Sequence, residues 1–394
     1  MTPEQTEHYF DWAATSPSDR EILSSALNIT LEKWGNPSSA HFAGKEAHEL
    51  LEEARNLSAK TIGVPSTTLY FTSGGTEANH IPLLSVLNRP QKGTVLFSSL
   101  EHPAVREMAL QMKKCGIAAL AIPAEKNGIV TAESVLKCLS PQVVMICIMA
   151  VNNETGAIQP IAEIANAVEN ATRGKRRPKI HVDCVQAAGK IPLDLKSLKV
   201  DSASISAHKI AGPRGIGLLY AKDTFEPFLK GGGQEKGIRS GTENVYGAIC
   251  LSKCLEKYFF REKSPRYMAQ IEYTKKFISM LLEIPTCTII PECRAKNNEI
   301  RIENEEHFSP WIVQASFKGI PGQVMARALD AEGFYISTGS ACSTKKNSRP
   351  VLEAMNISHD ISESAVRFSF GHSTTEEAMS ALAEKTSEIV RRFK

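Results

Sequence analysis

The sequence predicts a doubly wound α/β protein, with a large, mostly parallel-sheet region and a smaller C-terminal α/β region. Three observations carry the prediction. Short apolar runs alternate with amphipathic ones from about residue 43 to residue 220, as repeated strand–helix units require. One run, Val143 to Ala150, is apolar throughout, the pattern of a strand covered on both faces. Polar side chains fall just after the ends of these runs, at the edge where open α/β sheets bind ligands.

Taken in order, Tyr9 to Ala13 reads as a short strand turning at Thr15-Ser16-Pro17. From Ala43 to Ile62, apolar residues at Ala47, Leu50, Leu51, Ala54, Leu57 and Ile62 keep a helical period. Leu69 to Thr72 is a strand running into Ser73-Gly74-Gly75-Thr76-Glu77, the start of a helix. That arrangement can offer backbone N–H groups to a phosphate, although such turns are also common without a ligand. Thr94 to Ser98 is a strand followed by Glu101-His102-Pro103, a helix from Ala104 to Cys115 and a strand from Ala118 to Ile122. The Val143 strand ends in Asn152-Asn153-Glu154, a helix follows near Ile161 to Asn170, and Lys179 to Val182 is a strand ending at Asp183. The basic run Arg173 to Lys179 suits a solvated loop. Ser202 to Ser206 and Ile216 to Tyr220 are strands flanking His208, Lys209 and a glycine-rich turn. Gly231 to Thr242 is a long glycine-rich loop suited to binding or to a subunit contact.

Past Ala248 the pattern changes. A helical stretch from Tyr246 to Leu282 leads to strands at Ile312–Phe317, Phe334–Ser337 and Val366–Phe370. In the last, Val366, Phe368 and Phe370 share one face and Arg367 and Ser369 the other. A final helix opens on a capping box, Thr374 with Glu377. Residues 16–258 form the predicted large region. Residues 1–15 and 259–394 form the small one, which carries a polar loop at about 337–350.

The totals exclude several classes. The 394 residues suffice for two domains, and a net charge of +3 gives no whole-chain case for direct nucleic-acid binding. The N-terminus lacks a signal-peptide pattern, and no apolar run reaches the length of a membrane span. Nine scattered cysteines without a Cys-x-x-Cys argue against a disulfide framework or a metal site. The expectation is a cytoplasmic protein without a membrane segment.

Thr76, His102, Asn153, Asp183, Gln186, His208 and Lys209 all fall at or beyond strand ends. A lysine between two strands, beside Ser206 and His208 and near glycines, suits a covalent Schiff-base lysine; taken alone, the stretch equally suits an exposed hairpin. Cys115, Cys138, Cys147, Cys250 and Cys254 read as packing residues. Cys342 differs. It lies in a small, polar loop where Lys345 and Lys346 favour its thiolate, against the alternative of an incidental thiol.

The chain resembles the cysteine desulfurases, pyridoxal-phosphate (PLP) enzymes of the class V aminotransferase superfamily. The resemblance rests on Gly35-Asn36-Pro37-Ser38-Ser39, Thr72–Glu77, Glu101-His102, Val151–Glu154, His181-Val182-Asp183, Ser206–Lys209, Arg239–Thr242, Ser340-Ala341-Cys342 and Val366–Ser369, in the family's order. The Ser-Ala-Cys loop is similar to that of the members with a longer catalytic loop. The resemblance implies an aspartate-aminotransferase-like fold and a set of roles. Lys209 would carry PLP as a Schiff base and Asp183 would pair with the ring nitrogen. His102 would stack on the ring and Gln186 would reach its phenolic oxygen. Gly75, Thr76, Ser206 and His208 would hold the phosphate, joined by Thr242 from a partner subunit, so a homodimer is implied. Arg367 would clamp the substrate carboxylate with Asn153 and Asn36.

It further implies that L-cysteine is converted to L-alanine, with sulfur passing to a persulfide on Cys342. From there it would go to an acceptor or scaffold protein for iron–sulfur cluster assembly, Cys342 transiently meeting the cluster, or to tRNA thiolation. Selenocysteine lysis, another β-elimination, or a non-catalytic homologue are the alternatives. The chain departs from many relatives at Gly371-His372, where they place an arginine. Its loop is more basic at Lys345-Lys346-Asn347, and it ends at Lys394 without the docking tail of some housekeeping members, which points to a shorter, nitrogenase-type or dedicated member.

Overall fold

The computed structural model describes residues 6–296, 299–300, 306–339 and 348–393. Seven strands form the main sheet: β1 (Leu69–Thr72), β2 (Thr94–Ser98), β3 (Ala118–Ile122), β4 (Val143–Met149), β5 (Lys179–Asp183), β6 (Ser202–Ser206) and β7 (Gly217–Ala221). Their order is β1-β7-β6-β5-β4-β2-β3, and β7 alone runs antiparallel to its neighbours. The helices of this region are α1 (Arg20–Glu32), α2 (Phe42–Ile62), α3 (Gly75–Ser85), α4 (Pro103–Lys114), α5 (Ala132–Cys138), α6 (Ile161–Ala171) and α7 (Val245–Tyr258).

Period-two alternation explains how the sheet is covered twice. Phe97 and Cys147 pack with Val105 and Met112 of α4, whereas Leu96, Ile146 and Ile148 join a larger cluster with Ile164 of α6 and Leu251 of α7. Every residue of β4 is buried, as its apolar run requires.

The smaller sheet is antiparallel, in the order β12-β11-β8: β8 (Cys287–Ile290), β11 (Ile312–Phe317) and β12 (Ala365–Ser369), with the short pair β9 (Ala295–Lys296) and β10 (Glu299–Ile300) beside it. Val313, Val366, Phe368 and Phe370 build its core with Phe277 and Leu281 of α8 (Pro265–Leu282) and Leu382 of the final helix. Phe10, from the far end of the chain, is buried in that same core.

Four expectations are corrected. The helical stretch from Tyr246 to Leu282 is two helices, because Ser264 caps Tyr267 N and Pro265 opens a new first turn. The runs 9–13 and 334–337 are not full strands; they meet in single bridges, Tyr9 with Tyr335, Asp11 with Ser369 and Ser337 with Arg367. The last helix, Glu376–Arg392, is capped by Thr375, which accepts from Ala378 N. The Thr374 hydroxyl instead accepts from Gly371 N at 2.9 Å and closes the preceding turn. Cys115 is exposed rather than packed, because it sits just past the end of α4. Among the described residues no helix is long and apolar enough to cross a membrane.

Candidate active site

The C-terminal ends of β1, β2, β4, β5 and β6 open onto one cavity of about 830 Å³. Gly75, Thr76, Ser206, His208 and Lys209 line one part of it. His102, Asn153, Asp183, Gln186 and Arg367 line the rest. Asn36 and Thr242 do not join them. Asn36 is exposed and its side-chain oxygen accepts from Ser38 N, while Thr242 is exposed beside a separate hollow shared with Ser73 and Arg239. Cys342 lies outside the described residues, between Gly339 and Ser348, both of which line the cavity.

At one end β1 turns through Gly74, whose φ of 154° favours glycine, into α3, whose first turn has no side-chain cap from the preceding residue. A Cβ at Gly75 would come within 2.7 Å of Val185 Cγ2, so only glycine lets the helix start this close to the loop after β5. Uncapped N–H groups at a helix start, beside the Ser206 hydroxyl and Thr76, make an anion cradle. Glu77 in the same turn does not oppose it. Its carboxylate accepts from Ser73 N and is paired with Arg239.

His208 lies beside the cradle with its Nδ1 against Thr15 Oγ1 at 3.2 Å. Burial, reinforced by the charge of Lys209, pushes it down to about 4, so it is neutral near pH 7. Lys209 Nζ donates to the carbonyls of Ala13 and Ala14 at 2.7 and 2.5 Å. The arm at residues 9–16 thus holds the lysine in the cleft, and the exposed-hairpin alternative does not describe it.

At the other end Asp183, buried at the tip of β5, accepts from Val185 N at 2.9 Å and from Asn79 Nδ2 at 2.7 Å. His102 caps α4, its Nδ1 accepting from Ala104 N at 3.1 Å, which leaves Nε2 to carry the proton of the neutral ring. Burial lowers its pKa, with Asp183 acting against and Lys209 with that shift. Gln186 donates to Ala13 O and accepts from the buried Lys190, at 2.8 and 2.7 Å.

Arg367 reaches in from β12 of the small sheet. It donates to Asn153 O at 2.8 Å, Gly339 O at 3.2 Å and the Asp11 carboxylate at 2.7 Å, while its buried Nε has no partner among the described residues. Asn153 serves Arg367 through its backbone carbonyl.

Four charged residues escape the strand-end pattern. Asp11 pairs with Arg367 across 356 positions of sequence, and Lys190 holds Gln186. Glu101 accepts from Met149 N at 2.6 Å, and burial beside Asp183 pushes its pKa well up. Glu154 is also raised by burial, against the pull of Arg367 and Arg349. The two glutamates sit in the sequence next to residues the pattern did flag, His102 and Asn153. Asp11 carried no such signal. The Gly371-His372 departure is filled by aromatics: the Trp12 ring lies where a Cβ of Gly371 would be, and His372 packs 4.9 Å from Trp12 and 4.3 Å from Tyr258.

The cleft therefore brings an anion cradle, a buried carboxylate at Asp183 and the Lys209 amine into one cavity. The family model described as Aminotransferase class-V matches residues 8–382. The chain is 34% identical over 394 residues to the cysteine desulfurase IscS of Dictyoglomus turgidum, covering 98% of this chain and 95% of that protein. It is 32% identical to the human cysteine desulfurase, covering 98% and 82%. A solved NifS-like protein superposes with a TM-score of 0.87 at 33% identity, across 98% of this chain and 100% of the other. The large, mostly parallel sheet and the small domain-like sheet are both within these matches.

Proposed function

The chain belongs to the class V aminotransferase family, and on that premise we propose that it works as a PLP-dependent L-cysteine desulfurase. Its full-length similarity to cysteine desulfurases supports the activity. The observation that supports the mechanism is that Lys209 lines one cavity with the α3 start, Asp183 and Arg367.

PLP, when bound, supplies an electron sink that draws charge from the substrate's α-carbon. The α3 start, Gly75, Thr76, Ser206 and His208 would hold its phosphate, and Asp183 would keep its ring nitrogen protonated. His102 would cover the ring face and Gln186 would donate to the phenolic oxygen. Lys209 is the amine that would hold the cofactor, and as a free base it would carry protons at the substrate's α- and γ-positions. Arg367 takes the substrate carboxylate through Nε and a neighbouring N–H, held in orientation by Asp11. The Cys342 thiolate attacks the substrate sulfur. A sulfur–sulfur bond forms, the carbon–sulfur bond breaks with its electrons kept on carbon, and that carbon takes a proton to become the methyl of alanine.

A homodimer accounts for the exposed Thr242 and Asn36, which would complete the cleft of the partner subunit. The persulfide would pass in the cytoplasm to an acceptor protein, for iron–sulfur cluster assembly or tRNA thiolation. Cys342→Ala tests the assignment. It should abolish alanine and sulfide formation from cysteine while the visible absorbance of bound PLP persists, and full activity in that variant would overturn the reading. Selenocysteine turned over far faster than cysteine would favour the lyase alternative.

A further inference from the structure

Beneath Asp183 lies a hydrogen-bonded network that the reaction as described does not use. The register of β5 and β6 sets His181 opposite Ser202 and Asp183 opposite Ser204, so all four side chains belong to one face. Asn79 of α3 covers that face, one turn beyond the helix start that cradles the anion. Its Nδ2 donates to Asp183 Oδ2 at 2.7 Å. Its Oδ1 receives Ser204 Oγ at 2.7 Å and faces His181 Nε2 at 2.8 Å, and His181 Nδ1 faces Ser202 Oγ at 2.8 Å. All five groups are buried, and His181 and Ser204 are wholly inaccessible.

The polarity of every link is determined. Only the amide nitrogen of Asn79 can donate to a carboxylate, so its oxygen must point at His181 and Ser204. His181 Nε2 must then carry a proton. Burial holds the imidazole neutral, pushing it down to about 3, so Nδ1 is bare and accepts from Ser202. With the opposite tautomer, two acceptors would face each other in a dry interior.

We propose that His181 and Asn79 are positioning residues that lock the Asp183 carboxylate as an acceptor for the ring nitrogen, and that α3 ties this lock to the phosphate cradle at its own N-terminus. The inference rests on the PLP reading and deepens it. One helix aligns both ends of the cofactor, with backbone N–H groups at Gly75 and a side-chain amide at Asn79.

The test compares binding of PLP with its 1-deaza analogue, in which CH replaces the ring nitrogen, to the full-length enzyme stripped of cofactor. Affinity is read by fluorescence quenching, and the melting temperature of the stripped protein is recorded for each variant. Asn79→Ala and His181→Phe should weaken PLP by about 10- to 100-fold, as loss of an outer supporting bond does elsewhere. The analogue, lacking the nitrogen, should bind the variants and the parent alike. His181→Gln, which can still donate to Asn79, should recover most of the PLP affinity. If His181→Phe does not fold, Ser204→Ala removes the other donor to Asn79 in its place. Equal weakening of PLP and analogue, or no weakening of either, overturns the proposal. A parent enzyme that binds neither ligand would instead overturn the PLP reading itself.

Discussion

The two ends of the cleft are built in opposite ways. At the Asp183 end, contacts come from the main sheet and from helix α3 packed on it, and each carboxylate oxygen of Asp183 accepts an N–H. At the Arg367 end, contacts come from segments at residues 11, 153, 339 and 367, and one donor is left without a partner among the described residues. The contrast suits a resident group at one end and a molecule that comes and goes at the other. The first must be pre-organised; the second needs a donor already desolvated and waiting.

Separating the ends by mutation sharpens the contrast. Arg367→Ala should lower kcat/KM for cysteine by about 10³-fold, because it removes a buried charge-assisted pair to the carboxylate. PLP affinity, measured by reconstitution, should stay within a few-fold; if it collapses, the two ends are not independent. Arg367→Lys should rescue little, since an ammonium cannot reproduce the fork.

Acid should strike the cofactor end. Burial depresses the pKa of His181 to about 3 and of His208 to about 4. Below about pH 6.5 the unfolded chain takes up protons that these folded sites refuse, so stability is full above that pH and is lost as pH falls toward 4. On the order of 2–4 kcal/mol should be gone by pH 5, measurable by urea denaturation. A flat stability between pH 7 and 5 would show that neither ring is held neutral.

Smaller effects follow. Gly75→Ala should weaken PLP about tenfold, because the added methyl meets Val185 and shifts the helix start from its anion. Asp11→Asn should raise KM for cysteine about fivefold with kcat retained, as the guanidinium loses one of its anchors. An equal fall in kcat would mean that Asp11 acts on the chemistry instead.

Much of the Asp183 end was legible in sequence because its residues sit directly after strands whose apolar pattern is strong. Lys209, His102 and Asp183 needed only the strand ends to be found. Arg367 was legible as the polar face of a strand whose other face is Val366, Phe368 and Phe370. Asp11 was not, since its meaning depends on Arg367, a partner 356 positions away in the sequence. The break after Tyr258 falls in the polar run Arg261 to Ser264, which an exposed helix could also carry, and Ser264-Pro265 marks the restart. Thr375 replaced Thr374 as cap because two adjacent threonines compete, and the turn back to Gly371 claims the first.

The arm at residues 9–16 has a consequence for assembly. Phe10 N donates to Tyr335 O, Ser369 N donates to Phe10 O, and the neighbouring Ala13 and Ala14 carbonyls hold Lys209. Residue 10 is therefore seated against residues 335 and 369, more than 300 positions later in the sequence. Until residue 369 has been synthesised, the arm lacks its docking strand, however early the main sheet forms. The nascent protein would form the main sheet before Lys209 finds the docked Ala13 and Ala14 carbonyls that hold its amine.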